Sequence, residues 1–298
     1  MSKKTVAIIG AGRVGGSVGY LLARAGYTVA AVAARSMATA EKASVFIGAG
    51  EPLTDVKKAA SKAGIVFITT PDSAIRKVCD EIASGNGFRP GSIVIHTSGA
   101  HTIGLLQSAR TAGAYRAVIH PLQSVPGMEQ GIKNLPGSHF RIEADPEALE
   151  TARGMVKALG GAELVMPAWR SDPQSAALYH AGAVVVSNYF VALIDYGLKF
   201  YQALGADKQE ALKAVLPLIK GTLGNIEYLG TTAALTGPIA RGDVETVKGH
   251  IEAMQERAPE LLDFYRELAK QTIAVAAEKG GITRQTAEEL RNLVENGK

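Results

Sequence analysis

The sequence predicts an α/β fold: a Rossmann-type, mostly parallel sheet followed by a second, all-helical domain. Three observations lead there. Short apolar runs alternate with helical patterns through the first half of the chain. Those runs are nearly continuous in Val, Ile and Ala, so both faces of the sheet they form must be covered. After about residue 168 no strand-like run follows, only long stretches of helical period.

Taken in order, apolar runs at 6–9, 28–34, 65–69, 92–96 and 116–119 read as strands, with a further pair near 139–142 and 163–166. Helical patterns at 14–25, 38–46 and 73–82 separate the early ones. In the second half, helical patterns cover 174–204, 208–229, 244–254, 259–278 and 283–296. The junction from Pro167 to Pro173 carries two prolines and a possible N-cap at Ser171 or Asp172. It sets the expected boundary between a dinucleotide-binding domain, 1–168, and a helical domain, 169–298.

With 298 residues, 47% of them hydrophobic, the chain can build two cores. A net charge of +4 is mild, and no Lys/Arg-rich run interleaved with aromatics argues for a nucleic-acid partner. The single cysteine, Cys79, forms no disulfide within the chain and founds no cysteine-rich metal site. No metal is expected, and Cys79 reads as a buried, inert thiol. The N-terminal apolar run is too short for a signal peptide. The longest apolar stretch, 181–194, is interrupted by Ser187 and Asn188 and closed by Asp195, which is expected to fall short of a membrane span. A cytoplasmic chain without a membrane partner is the expectation.

The segment from Gly10 to Gly15 reads Gly-Ala-Gly-Arg-Val-Gly, with Ala11, Arg13 and Val14 between the glycines. It follows the first strand and opens the first helix, the setting in which this spacing binds a dinucleotide. Gly10 makes the tight turn, Gly12 admits the pyrophosphate, and Gly15 lets the helix pack on the strand. A glycine-rich turn without a ligand is the plainer alternative. The second strand then selects the cofactor. An NAD site would place an acid near its end, but here stand Arg35 and Ser36, with no acid until Glu41. A guanidinium fork and a hydroxyl suit a 2′-phosphate, so the expected cofactor is NADP.

Loops at later strand ends should line the same crevice. Thr70 and Pro71 are placed there, with Asp72 as an N-cap. Ser98 and Gly99 are placed toward the nicotinamide, and the strand-end residues His96 and His120 read first as satisfied structural histidines. In the helical half, the pattern from Gln174 is apolar almost all round and is therefore expected to be buried. Its polar exceptions His180, Ser187 and Asn188 fall within about a third of the helix circumference. His180 is the candidate acid; a core histidine bonded to a carbonyl is its alternative. Asn188 and Asn225 are candidate polarising donors. Arg241 is a candidate clamp for a substrate carboxylate, and Asp243 an N-cap.

Together Gly-Ala-Gly-Arg-Val-Gly, Ala-Arg-Ser, Thr-Pro-Asp, His-Thr-Ser-Gly, His-Pro-Leu-Gln and Leu-Thr-Gly-Pro-Ile-Ala-Arg-Gly-Asp resemble a bacterial family. It joins a Rossmann-like domain to a helical domain labelled "unknown function" and is related to pyrroline-5-carboxylate reductases, ketopantoate reductases and 6-phosphogluconate-type dehydrogenases. The resemblance spans essentially the whole chain. It implies an NADP-dependent oxidoreductase, with a ketopantoate-like 2-oxo acid as substrate. Ordinary ketopantoate reductases use a lysine on the first helix of the second domain; 174–198 contains none, and His180 stands roughly in its place. The alternatives are an imine reductase of the pyrroline-5-carboxylate type and an NADP-binding sensor without turnover. Long apolar helices imply a homodimer through the helical half.

Overall fold

The computed structural model describes residues 5–296. The first half runs β1 (Thr5–Ile9), α1 (Arg13–Arg24), β2 (Thr28–Ala33), α2 (Met37–Ile47), β3 (Glu51–Leu53), α3 (Val56–Ser61), β4 (Ile65–Ile68) and α4 (Asp72–Ser84). It continues with β5 (Ile93–His96), α5 (Gln107–Thr111), β6 (Tyr115–Pro121), α6 (Met128–Asn134), β7 (His139–Ala144), α7 (Pro146–Ala158) and β8 (Ala162–Glu163). These strands form one eight-stranded sheet in the order β3-β2-β1-β4-β5-β6-β7-β8. Every neighbouring pair is parallel except β6 with β7. The mostly parallel Rossmann-type sheet stands as predicted. Strand order reverses between β1 and β4, which opens a crevice beyond their carboxyl ends.

The apolar strands pack on both faces. Val6, Ile8, Phe67 and Ile95 join α1, α2 and α7 in one core, while Ile9, Val66, Ile68 and Val94 join α3, α4 and α5 in the other. Cys79 belongs to the second core; it accepts a hydrogen bond from Ser108, and burial pushes its thiol pKa up, as an inert thiol requires. The antiparallel pair carries the exception to this apolar pattern. Arg141 and Glu143, two apart on β7, share the face opposite Phe140 and Ile142, and both are buried. Arg141 Nη1 donates to Glu143 at 2.9 Å, and Nη2 donates to the carbonyls of Ser98 and His101 at 3.2 and 2.7 Å. Glu143 in turn accepts from the backbone N–H of Ile103 and from the Ser171 hydroxyl. One buried ion pair thus ties β7 to the loop after β5 and to the chain entering the next helix.

That helix is α8 (Pro173–Val184), capped by Asp172, which accepts from the Ser175 N–H at 2.8 Å. A single π-helical turn, Val185–Tyr189, joins it to α9 (Phe190–Ala203). The wider turn shifts Ser187 and Asn188 from the positions that uniform α geometry gives them relative to His180, and both are exposed. The chain divides into compact units at this turn, Met1–Asn188 and Tyr189–Lys298. The break falls after the proline junction at 167–173 because Trp169, Tyr179 and His180 pack with residues of the first unit.

The second unit continues with α10 (Lys208–Ala234), α11 (Pro238–Arg241), α12 (Val244–Arg257), α13 (Leu262–Lys279) and α14 (Arg284–Asn296). Gly230, at φ +77°, breaks α10 just past Leu229, where the sequence pattern ends. Its core is built by α11 to α14, through Val247, Ile251, Ile273, Leu290 and Val294. The expectation that the apolar helix beginning near Gln174 is buried is not met. Along α9, at its C-terminal cap and along α10, Val191, Leu204, Leu218 and Tyr228 are 68%, 72%, 68% and 89% exposed. The core of this unit is built by α11 to α14, and these apolar side chains lie outside it. The segment Pro173–Ala203 is also long and apolar enough to cross a membrane by length and composition, contrary to the reading of 181–194. Ser187 and Asn188 do not interrupt the helix; its average stays apolar around them.

The ion pair sets a stability test. Arg141→Ala leaves Glu143 buried without its cation and should destabilise the chain by about 3–5 kcal/mol in denaturant unfolding. The double variant Arg141→Met with Glu143→Leu should cost less than either single truncation, because it removes the stranded charge as well. Fully additive losses would contradict the account.

Candidate active site

At the end of β1 the chain turns at Gly10, whose φ of +92° lies in the left-handed region. A side chain there would meet the Thr70 backbone at 2.7 Å, and one at Gly15 would run into the Thr69 hydroxyl and the Gly10 carbonyl. Thr69 donates that hydroxyl to Gly10 O at 2.8 Å, so β4's end buttresses the loop. Gly12 is the N-cap of α1 and carries no side chain, with open space where a Cβ would sit. The first-turn N–H groups, starting at Arg13 and Val14, are therefore left for an anion. The loop fits a pyrophosphate. Thr70 adds a buried hydroxyl without a partner, while the neighbouring Pro71 is exposed.

Beside the loop lies a cavity of about 530 Å³, lined by Ala11, Gly12, Arg13, Thr39, Lys42 and Met128 among others. The lining holds two cations and no carboxylate. Met128 is fixed there because Ser17 donates its hydroxyl to the Met128 carbonyl at 3.0 Å. Ser36 caps α2, accepting from the Thr39 N–H at 3.3 Å, and Arg35 just before it is exposed. Lys42, one helical turn inside α2, was missed by the sequence reading. Its signal was available: it is exposed three residues after Thr39 on α2, and both line the cavity.

The ends of β5 and β6 carry the second part of the site. Buried His96 is satisfied on both sides, accepting from the Ser98 N–H at 3.1 Å and donating to Thr102 O at 2.9 Å. Burial holds its pKa at about 4. The structural reading of His96 stands. Ser98 uses its hydroxyl internally, donating to Asp72 at 2.7 Å and accepting from His101 at 2.8 Å. Asp72 is therefore no N-cap, contrary to expectation. The cap position falls to Pro71, and the Asp72 carboxylate turns to Ser98 instead.

His120, opposite Arg141 in the β6–β7 register, bonds to the Tyr179 hydroxyl at 2.9 Å through Nδ1. Its ring is 6.2 Å from that of His180, edge to face. Arg141 stacks over Trp169 and Tyr179, at 4.6 and 5.4 Å from the ring centres. His180 Nδ1 is buried and has no hydrogen-bond partner among the described residues, which argues against a carbonyl-bonded core histidine at that atom. A side chain on Gly99 would come within 2.7 Å of His120 Nε2 and 2.9 Å of His180 Nδ1, so glycine is what lets both imidazoles approach this loop. The structure thus brings His180 together with Gly99 and with His120, a residue the sequence reading ranked below it.

The helical unit holds the remaining candidates. Asn225 is exposed on α10. Arg241 is exposed at the end of α11, 4.0 Å from Asp243. Asp243 caps α12 as expected, accepting from the Thr246 N–H at 3.1 Å.

A model of the Rossmann-like domain matches residues 1–121, and a model of the domain of unknown function DUF2520 matches residues 138–272. Among curated proteins none matches the chain. Solved structures that share its fold include the following three. A Bacteroides fragilis protein proposed to be an NADP oxidoreductase is 19% identical, with 92% of this chain and 98% of that one covered and a TM-score of 0.70. A reductive aminase from Aspergillus terreus, solved with NADPH, is 18% identical over 100% of this chain and 94% of that one, at a TM-score of 0.58. A pyrroline-5-carboxylate reductase from Coxiella burnetii is 17% identical over 97% and 98%, at 0.56. The chain thus carries a Rossmann-like domain followed by a DUF2520 domain, as its motifs lead one to expect.

Proposed function

We propose that the chain is an NADPH-dependent oxidoreductase that reduces the carbonyl of a small 2-oxo acid of the ketopantoate type. The observation that carries the cofactor reading is the cavity beside the glycine loop, walled by Arg13 and Lys42 without a carboxylate. A 2′-phosphate dianion suits that wall, whereas a ribose diol would call for an acid at the end of β2. When bound, NADPH supplies the hydride. The residues of the chain orient the acceptor and move the proton. His180 is assigned the proton, since its Nδ1 is buried and unpartnered beside Gly99. Asn188 and Asn225, both exposed, are assigned to polarise the substrate, and Arg241 to hold its carboxylate.

A second copy of the chain covers the exposed faces of α9 and α10. Lys199, Lys213, Lys220 and Glu227 are interspersed among the apolar residues there, which suits a protein partner in water better than a bilayer.

NADPH oxidation against a panel of 2-oxo acids and cyclic imines tests the reading. Ketopantoate is expected to turn over; a cyclic imino acid turning over in its place assigns the chain to imine reduction, and silence on both leaves a sensor. NADP(H) should bind on the order of tenfold to a hundredfold tighter than NAD(H), and the margin should narrow in Arg35→Ala and Lys42→Ala. Equal affinities in a titration overturn the cofactor choice. His180→Ala should lower turnover roughly a hundredfold to ten-thousandfold with NADPH affinity unchanged, while Arg241→Ala should raise KM for carboxylate substrates alone. Light scattering should give twice the 31.2 kDa chain mass, and Leu218→Glu should shift it toward monomer.

A further inference from the structure

His120 and Tyr179 form a pair whose chemistry the proposed reaction leaves unused. The imidazole is flanked by Tyr179 and His180 on α8 and by Arg141 on β7, with His96 at the end of β5 and Asp72 at the start of α4 also acting on it. Burial first, then the Arg141 charge and His180, push its pKa down to about 3. His120 is therefore neutral at working pH, and its two nitrogens differ: one must donate and the other accept.

The hydroxyl of Tyr179 faces one of them. Burial raises its pKa to about 12, so it keeps its proton. The Arg141 guanidinium over its ring, 5.4 Å from the centre, draws electron density away and makes the phenol a better donor than acceptor. The hydroxyl lies 2.9 Å from His120 Nδ1, and a phenol that donates there leaves the imidazole proton on Nε2. That nitrogen lies along the Gly99 backbone, near His180 Nδ1, with no side chain between.

Building on the reductase reading, we infer that Tyr179 locks His120 as its Nε2–H tautomer, a fixed neutral donor to the heteroatom being reduced, and that this donor selects a carbonyl over a protonated imine. A carbonyl oxygen has lone pairs to accept the Nε2–H bond while His180 delivers the proton that completes the hydroxyl. An iminium nitrogen already carries its hydrogen and offers nothing to accept. Tyr179 is then a positioning residue: it acts through His120 and need not touch the substrate.

Nitrogen-15 NMR of the histidines in the full chain reads the tautomer without any turnover. His120 is expected as neutral Nε2–H from pH 5 to 8, and Tyr179→Phe should convert it to a mixture of both tautomers. Nδ1–H in the parent protein, or an imidazolium in that range, overturns the lock whatever the enzyme does. In kinetics, Tyr179→Phe should lower kcat for the 2-oxo acid on the order of tenfold, leave NADPH affinity unchanged, and narrow the preference for carbonyl over cyclic imine. His120→Gln retains an N–H donor and should stay more active than His120→Leu. Adding Tyr179→Phe to His120→Gln should have little further effect, since the amide has no tautomer to lock. A full tenfold loss in that double variant gives Tyr179 a role apart from His120 and overturns the inference. If the parent protein oxidises no NADPH on any substrate, the reductase reading falls, and the spectra still decide the lock.

Discussion

The guanidinium of Arg141 lies where water cannot reach it, and its hydrogen bonds dictate what surrounds it. Glu143 neutralises it, two carbonyls of the loop after β5 accept from it, and two aromatic rings stack against it. Each partner belongs to a different piece of chain: β7 itself, the loop 98–101, and the stretch from Trp169 into α8. A pair of this kind adds little net stability over a well-packed apolar replacement. What it supplies is register. Any shift of the β5 loop against β7 would strand a buried charge, so Gly99, His120, Tyr179 and His180 are held in one arrangement.

That constraint explains why the fold was so much easier to read than the site. Strands of Val, Ile and Ala with glycine at their ends leave few alternatives, and β1, α1, β2 and α2 follow from local pattern alone. Strand β3 is three residues long and contains Pro52, too short and too irregular to stand out. The site depends on pairs far apart in the chain. Arg141 with Ser98, and His120 with Tyr179, are separated by 43 and 59 positions, and nothing local marks them as partners. A charged residue alternating with apolar ones on a strand reads as solvent-facing; at Arg141 the neighbouring Glu143 carboxylate and the covering Trp169 reverse that.

The long helix shows a different limit. Its composition is compatible with a protein core, a bilayer or an interface, and only the rest of the fold distinguishes them. Burial was expected because apolar all round usually means enclosed. Among the described residues the outer faces of α9 and α10 keep large apolar side chains exposed, so an apolar pattern alone does not mark an internal core. The π turn at 185–189 is similarly silent in sequence, with neither proline nor glycine to mark it. It nevertheless decides where Ser187 and Asn188 face.

The two imidazoles beside Gly99 illustrate how one environment gives like residues unlike tasks. His120 is bonded at Nδ1, sits against a permanent cation and is held neutral. His180 is buried at Nδ1 with nothing to bond there, an arrangement that a folded chain does not keep without cause. A donor that never changes charge can orient and polarise but cannot deliver a proton. An unpartnered nitrogen can deliver one, but it fixes no geometry by itself. Because both imidazoles face the position that a Gly99 side chain would fill, the inferred tasks of orientation and proton transfer lie within a few ångströms of each other.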